Sequence, residues 1–191
     1  YADERHADDK PTGKRVTTSD YASADYYYVN KSSLPKVYGG FNTSLSWKGL
    51  DLSAIFAYSI GGYIYNRDIM MILHNGSLEG RAWSTEILRR WTPDNRYTDV
   101  PALSTTSNNW NSASTRFLQN NSYMRLKNLT LSYNLPKPWV SKLALSSVQV
   151  YVQGDNLFTI HKNQGLDPEQ GITGITYYRY PTMRTISGGI N

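Results

Sequence analysis

Strict alternation of apolar and polar residues is the feature of this sequence that most restricts its fold. Segment 125–134 shows it clearly, with two sets at alternate positions: Leu129, Leu131 and Tyr133 against Thr130, Ser132 and Asn134. Successive side chains of a strand point to opposite faces, so this segment predicts a strand with one apolar and one polar face. Upstream, Arg125 and Lys127 have the parity of the apolar set, which predicts a β-bulge near Asn128.

The same period of two predicts a long hairpin earlier in the chain. Apolar residues recur at alternate positions in 37–47 and again in 52–60, and Lys48-Gly49 supplies the turn between them. Further strands are predicted over 146–153 and from Arg184 onward. We therefore expect an all-β fold of antiparallel strands, the longest of which match the about 9 to 11 residues that a barrel strand needs to cross a bilayer.

The composition limits the possible function classes, but it does not decide whether the protein is soluble or lies in a membrane. The chain has 191 residues, of which 18% are charged, and no apolar run approaches the roughly 18 residues of a membrane helix. Barrel strands alternate and stay polar on average, so the mean hydropathy of −0.54 fits a barrel as well as a soluble sandwich. The net charge of +5 is scattered, which disfavours nucleic-acid binding. The absence of cysteine excludes disulfides and thiolate metal sites.

Two long connections separate the predicted strands, one over about 66–115 and one over 161–183. Within the first, four apolar residues at i, i+4, i+5 and i+8 predict one short amphipathic helix: Trp83, Ile87, Leu88 and Trp91. Before the first hairpin, residues 1–35 are predicted as an exposed loop region with a short strand at about 25–30. Short turns on one side of a sheet and long loops on the other are typical of an outer-membrane barrel.

Catalytic and metal-binding signals are weak in this sequence. His6, His74 and His161 stand alone, without serine or carboxylate partners at motif spacing, and we expect them to be exposed loop residues. Asp167 and Glu169 admit either a glycosidase carboxylate pair or a turn built on Asp-Pro, and the turn is favoured. No phosphate-binding glycine loop and no HExxH motif occurs. The sequence therefore predicts a protein that is not an enzyme and that uses no cofactor or metal.

Aromatic residues on the two long connections are the candidates for ligand or partner contact. They are Trp83, Trp91, Trp110, Tyr177 and Tyr178. Aromatic faces stack on sugars or pack on partner proteins, and loops carry such contacts on rigid scaffolds. The alternative for Trp83 and Trp91 is that they dock their own helix onto the rest of the loop.

Several stretches, in a fixed order and spacing, carry a family resemblance. They are RLKNLTLSY at 125–133 before Leu135-Pro136, VQVYVQGDNLF at 148–158, GLDPE at 165–169, Tyr180-Pro181, and Arg184-Thr185 before the closing GGIN. Upstream, residues 34–41 and the hairpin after them fit the same pattern. Together the stretches resemble the C-terminal end of SusC/RagA-type TonB-linked outer-membrane transporters.

The resemblance implies a fold and a location that the residue pattern alone does not give. It implies the C-terminal antiparallel strands of a transmembrane β-barrel of about 22 strands, with a plug and long extracellular loops, in the bacterial outer membrane. Residues 1–35 would then be an extracellular loop region, and residues 36–191 would be strands and loops of a longer chain. Polar residues of two strands would line the lumen: Asn42, Ser44, Ser46, Thr130 and Ser132.

The resemblance also implies a function and partners. It implies TonB-dependent import of glycan or peptide oligomers in a SusCD-like complex. The partners would be a SusD-like surface lipoprotein, the TonB complex acting through the N-terminal part, the rest of the barrel and plug, and membrane lipid. The alternative from another class is a soluble secreted β-sandwich that binds carbohydrate through its Trp and Tyr loops.

Overall fold

The computed structural model describes residues 2–5, 11–18, 20–76, 78–104, 111–164, 167–169, 173–176 and 178–191. These residues fall into two units. The loop unit lies within residues 1–31 and 66–118, and the sheet unit lies within residues 32–65 and 119–191.

Nine strands and two α-helices form the regular structure of the described residues. In chain order they are β1 (Ala2–Arg5), β2 (Pro11–Val16), β3 (Val37–Trp47), β4 (Leu50–Ile60), β5 (Tyr63–Tyr65), α1 (Arg67–Ile72), β6 (Leu118–Asn120), β7 (Tyr123–Asn134), α2 (Lys137–Val140), β8 (Gln149–His161) and β9 (Thr185–Ile190). Among the described helices, none has the length and the apolar character needed to cross a membrane.

The sheet unit is built on a five-stranded antiparallel sheet with the order β3-β4-β7-β8-β9. The predicted hairpin is confirmed, because β3 and β4 pair without interruption from Val37 opposite Ile60 to Trp47 opposite Leu50. Lys48 and Gly49 have φ angles of 48° and 86°, the left-handed conformation that a two-residue hairpin turn requires. The strand predicted from Arg184 onward is also confirmed and begins at Thr185.

The predicted bulge in β7 is confirmed at Lys127. Strand β4 pairs with Asn128 and next with Leu126, so Lys127 is the extra residue between them. One extra residue reverses the parity of everything before it. Arg125 therefore shares the polar face with Asn128, and Leu126 joins the apolar face.

Strand β8 is longer than the sequence pattern predicted. The prediction ended the strand at Gln153, but β8 continues through Gly154-Asp155-Asn156 to His161. Asn156 takes a φ of 52°, and the pairing with β7 shifts register beside the bulge at Lys127. The strand thus continues through a local irregularity at Gly154-Asp155-Asn156, where the sequence pattern predicted that it ends.

The apolar face of the sheet is exposed across its width. Four residues in register form one row across four strands: Leu45, Leu52, Leu131 and Val152. Their exposed fractions are 67%, 38%, 39% and 48%. A soluble β-sandwich buries such a face against a second sheet. This sheet presents its apolar side chains outward instead.

The opposite face of the sheet is polar. In one register row, Ser44, Ser53, Thr130 and Gln153 lie side by side on four neighbouring strands. The residues predicted to share a lumenal face all lie on this side: Asn42, Ser44, Ser46, Thr130 and Ser132. The sheet therefore has an apolar side and a polar side.

The loop unit differs from its sequence prediction at two places near the chain start. Strands β1 and β2 pair as an antiparallel hairpin within the region predicted as loop. The predicted strand at 25–30 is wrong, because these residues have no regular structure. The stretches ADER and PTGKRV carry no alternation, so periodicity gave no signal for the observed hairpin.

The short helix predicted over 83–91 is present only over its middle, and the apolar face predicted for it is wrong. The chain forms a short 3-10 helix there, Thr85–Arg89, capped by the Ser84 hydroxyl. Ile87 is buried while its neighbour Leu88 is 73% exposed, so the two do not share an inward face. Trp91 then donates its backbone N–H to Val100 O at 2.7 Å, which draws the chain away from a helix. The core of this unit includes Leu73, Ile87, Val100 and Phe117.

Candidate functional site

The candidate site lies on the polar face of the sheet, at the end from which the long connections leave. One register row crosses this end: Tyr38, Ser59, Tyr123 and His161. A cavity of about 330 Å³ opens there. Its lining combines aromatic rings with small polar groups, among them Tyr38, Ser59, Tyr63, Asn121 and Tyr123. We call it the tyrosine cavity.

A buried ion pair ties the second long connection to strand β7. The Arg125 and Asp167 side chains are only 3% and 5% exposed, and Arg125 Nη2 donates to Asp167 Oδ1. Arg125 Nη1 also lies 3.3 Å from Glu169 Oε2. Lys127 Nζ donates to both Glu169 carboxylate oxygens at 2.7 and 2.6 Å. Two cations of the bulged strand thus hold two carboxylates of the connection against the sheet.

Asp167 also joins two separate parts of the connection. Its Oδ1 accepts the Glu169 N–H at 2.9 Å, and its Oδ2 accepts the Thr182 N–H at 2.8 Å. Burial alone would raise the pKa of Asp167, but hydrogen bonds from Thr182, Glu169 and Arg125 outweigh it and lower that pKa to about 2. The carboxylate therefore stays ionised and bonded. This arrangement agrees with the predicted turn and engages both carboxylates of the alternative glycosidase pair with cations.

Further along the polar face, side chains bond across strands. Asn128 Nδ2 donates to Asp155 Oδ1 at 2.8 Å, and the Thr130 hydroxyl donates to Asn128 Oδ1 at 2.9 Å. Nearer the short connections, Asn134 Nδ2 donates to Asp51 Oδ2 at 2.9 Å. These bonds satisfy polar groups within the wall itself and fix the surface that the polar face presents.

Comparison with known proteins identifies the family. The chain is 36% identical over 164 residues to a TonB-dependent receptor of Formosa agariphila, covering 80% of this chain and 16% of the receptor. It is 27% identical over 165 residues to the TonB-dependent receptor SusC of Bacteroides thetaiotaomicron, covering 86% of this chain and 16% of SusC. A solved structure of the RagAB peptide importer in the 'open-open' state matches 99% of this chain and 20% of its own chain, with 34% identity and a TM-score of 0.80.

The chain belongs to the SusC/RagA-like TonB-dependent transporters. It spans about a sixth of the length of the curated receptors that it matches. No family model matches it.

Membership of this family assigns the two faces of the sheet. The five strands are part of a large transmembrane β-barrel in the bacterial outer membrane. In such a barrel the outward face meets lipid, the inward face is polar, and the longer loops are extracellular. In this transporter segment, the tyrosine cavity and the Arg125–Asp167 pair therefore lie on the lumenal wall at its extracellular end.

The aromatic residues predicted as contact sites are distributed over both units. Trp83 and Trp91 belong to the loop unit of the transporter segment and are 44% and 43% exposed. Tyr178 belongs to the sheet unit, is 61% exposed and has a φ of 38°. Trp110 and Tyr177 lie outside the described residues. A role of these five residues in ligand or partner contact stays a prediction.

The expectation that the histidines are exposed is wrong for His74. This residue is 1% exposed, and its Nδ1 accepts the indole N–H of Trp83 at 2.8 Å. Burial lowers the pKa of His74, and a backbone bond with Arg81 opposes that shift. His161 is exposed as expected, and His6 lies outside the described residues. The indole N–H of Trp83 thus fixes this residue to its own loop, which is the role that the alternative interpretation gave it.

Sequence reasoning missed the ion pairs, although a signal was present. Arg125 and Lys127 lie two residues apart on a strand whose parity they do not fit, and Asp167 and Glu169 lie two residues apart in the following loop. A spacing of two on both sides allows parallel pairing of the charges. The separation of 42 positions between Arg125 and Asp167 in the chain hid that match.

Proposed function

We propose that the transporter to which this chain belongs imports nutrient oligomers, glycan or peptide, across the outer membrane with energy delivered through TonB. The observation that carries the proposal is the sheet with one uncovered apolar face and one hydrogen-bonded polar face. Such a wall lets a polar oligomer pass while the other face remains in lipid. The names of similar proteins support it, since they include a TonB-dependent receptor and a peptide importer.

Growth of the native bacterium tests this proposal. The gene is deleted, and growth is followed with neutral glycans, acidic glycans or a casein peptide pool as the only carbon source. We expect growth on one nutrient class to be lost, restored by the full-length gene, and not restored in a strain without functional TonB. Unchanged growth of the deletion strain on every class would contradict import.

The proposed complex includes a SusD-like surface lipoprotein at the extracellular side. The aromatic residues of the long connections that the sequence predicts as contact sites are the proposed contacts: Trp83, Trp91, Trp110, Tyr177 and Tyr178. Aromatic side chains that protrude from extracellular loops are suited to bury area against a second protein. The exposure of the Tyr178 and Trp91 side chains supports their part in this contact.

Co-purification of the lipoprotein with the full-length transporter tests these contacts. We expect Tyr178→Ala combined with Trp91→Ala to reduce the amount recovered. The matched control is Trp139→Ala, because Trp139 is 63% exposed but lies in the connection between β7 and β8, at the opposite end of the sheet. Equal recovery from the double variant and the control would refute the assignment.

A further inference from the structure

Two tyrosines flank the floor of the tyrosine cavity, and we call the space between Tyr38 and Tyr123 the slot. Tyr38 on β3 and Tyr123 on β7 lie in one register row, with only Ser59 of β4 between them. Neighbouring strands are about 4.8 Å apart, so the two tyrosine backbones are separated by roughly 10 Å. In the adjacent row, Gly40 and Ala57 continue the floor with small residues. The residue between the two tyrosines is thus small, and a larger side chain at Ser59 would occupy this part of the cavity lining.

The two tyrosine walls of the slot, Tyr38 and Tyr123, both line the tyrosine cavity, and Tyr63 lines it as well. The volume of about 330 Å³ lies at the lower end of the roughly 300 to 1,000 Å³ of small-molecule sites. Tyrosine offers a flat apolar ring together with a hydroxyl, so the slot can both stack on a ring-shaped ligand and bond to its polar groups.

The charge of the slot restricts the ligand class. Glu169 is the only formally charged side chain among its described lining residues. Its carboxylate is bonded to Lys127 at 2.6 and 2.7 Å and lies 3.3 Å from Arg125. A carboxylate neutralised in this way neither attracts a cation nor leaves a site for an anion. The hydroxyls of Ser33 and Ser59 and of the lining tyrosines supply uncharged hydrogen-bonding groups instead. The Asn121 side chain is bonded within the protein, to Pro168 O and to Asn163 Nδ2.

We propose that the tyrosine cavity is a subsite that binds one uncharged sugar ring of the imported oligomer at the extracellular end of the lumen. A pyranose presents an apolar C–H face to an aromatic ring and hydroxyl groups around its edge, which is the combination that this lining complements. The inference rests on the proposed import function and specifies its substrate as a neutral glycan. A charged peptide terminus or side chain would have no charged partner in this slot.

The test has two stages, so that failure of the import function and failure of the subsite give different results. The first stage is the growth experiment with the gene deletion, and we expect dependence on a neutral glycan. If growth depends on no nutrient, both the import function and the subsite fall. If growth depends only on peptides or acidic glycans, import stands and the subsite is overturned.

The second stage measures binding of the purified full-length transporter to the hexasaccharide fraction of that neutral glycan by calorimetry. Ser59→Tyr fills the floor of the slot, and we expect it to weaken binding by about tenfold or more. Tyr38→Ala and Tyr123→Ala each remove one wall, and we expect a loss of about five- to tenfold. Because Tyr38 is largely exposed, its truncation tests the slot even if the filled variant does not fold.

The matched control is Ser53→Tyr. Ser53 lies on the same strand and the same face as Ser59, in the row of Ser44 and Thr130, and does not line the cavity. We expect this variant to bind within about twofold of the unchanged protein. Folding of each variant is checked by its heat-modifiable mobility in detergent gels. Binding by Ser59→Tyr and Tyr38→Ala that equals the control would overturn the proposal.

Discussion

The loop unit and the five-stranded sheet of the same chain place their apolar side chains in opposite ways. In the loop unit, Phe117 and Val100 are each 1% exposed, whereas in the sheet Leu45 is 67% and Ile186 is 73% exposed. Each arrangement removes apolar surface from water, because one region borders water and the other borders lipid. The solvent of each region, and not the residue type, decides whether a large apolar side chain points inward or outward.

Polar groups show the reverse contrast. The sheet gathers hydroxyl, amide and charged side chains on one face, where Asn128 bonds to both Asp155 and Thr130. The loop unit instead buries polar groups among apolar ones, and these include Asn66, Asp68, His74 and Asn75. A continuous polar face can line a passage, whereas buried polar groups such as His74, which accepts from the Trp83 indole, hold a loop in place.

The largest effect that tests this contrast is expected at Phe117. We expect Phe117→Ala to destabilise the loop unit by about 3 to 5 kcal/mol, because the removed ring leaves a cavity in a buried core. The measurement is the rate at which a protease cleaves the folded full-length transporter within residues 66–118. The control, Phe158→Ala, makes the same change at a residue that is 44% exposed on the sheet. Similar cleavage of this loop in both variants would break the distinction between the two regions.

A charge on the lipid-facing side of the sheet should have the next largest effect. We expect Leu131→Arg to cost about 2 to 4 kcal/mol of barrel stability, because an arginine must then be placed in the hydrocarbon region. The neighbouring change Thr130→Arg places the same side chain on the polar face and should cost on the order of 1 kcal/mol or less. Folding yields in lipid vesicles, read from heat-modifiable mobility, compare the two. Equal losses would mean that the faces are assigned wrongly.

Acidification should release the second long connection without unfolding the sheet. The folded-state pKa of Asp167 is lowered to about 2 from an unfolded value of 3.8, so its stabilisation is present above pH 3.8 and is lost as the pH falls through about 2. The shift corresponds to on the order of 2 kcal/mol. Pepsin cleavage within residues 162–184 of the intact transporter should rise over this range. An unchanged acid response in Asp167→Asn would assign the effect to another group.

The sheet could be predicted from sequence because its structure repeats locally. The alternation in 37–47 and 52–60 sets both the strands and the sides to which their residues point, and the broken parity at Lys127 located the bulge. The extra length of β8 was not predictable in this way, since Gly154-Asp155-Asn156 reads as a turn until β7 is placed beside it. Whether such a segment forms a turn or continues a strand depends on the strand that pairs with it.

The loop unit and the site depend on contacts between distant residues, which a local pattern does not contain. Spacing alone made Leu88 appear to be an inward residue beside Ile87, but the bond from Trp91 to Val100 sets a different course for the chain. The Asp-Pro turn at Asp167 could be predicted from the local sequence, whereas the pairing of Asp167 with Arg125 could not. The slot between Tyr38 and Tyr123 required the register of three strands.

The smallest effect distinguishes two tryptophans of the loop unit that are almost equally exposed. Trp83 donates its indole N–H to the buried Nδ1 of His74, whereas no such bond from the Trp91 indole occurs among the described residues. We expect Trp83→Phe to destabilise the loop unit by about 1 kcal/mol, because an aromatic ring is kept but the buried His74 Nδ1 loses the shorter of its two donors and keeps only the Gly76 N–H at 3.3 Å. Trp91→Phe should change the cleavage rate within 66–118 by much less. If both variants behave alike, the hydrogen bond to His74 does not hold the loop, and packing against apolar side chains alone accounts for its order.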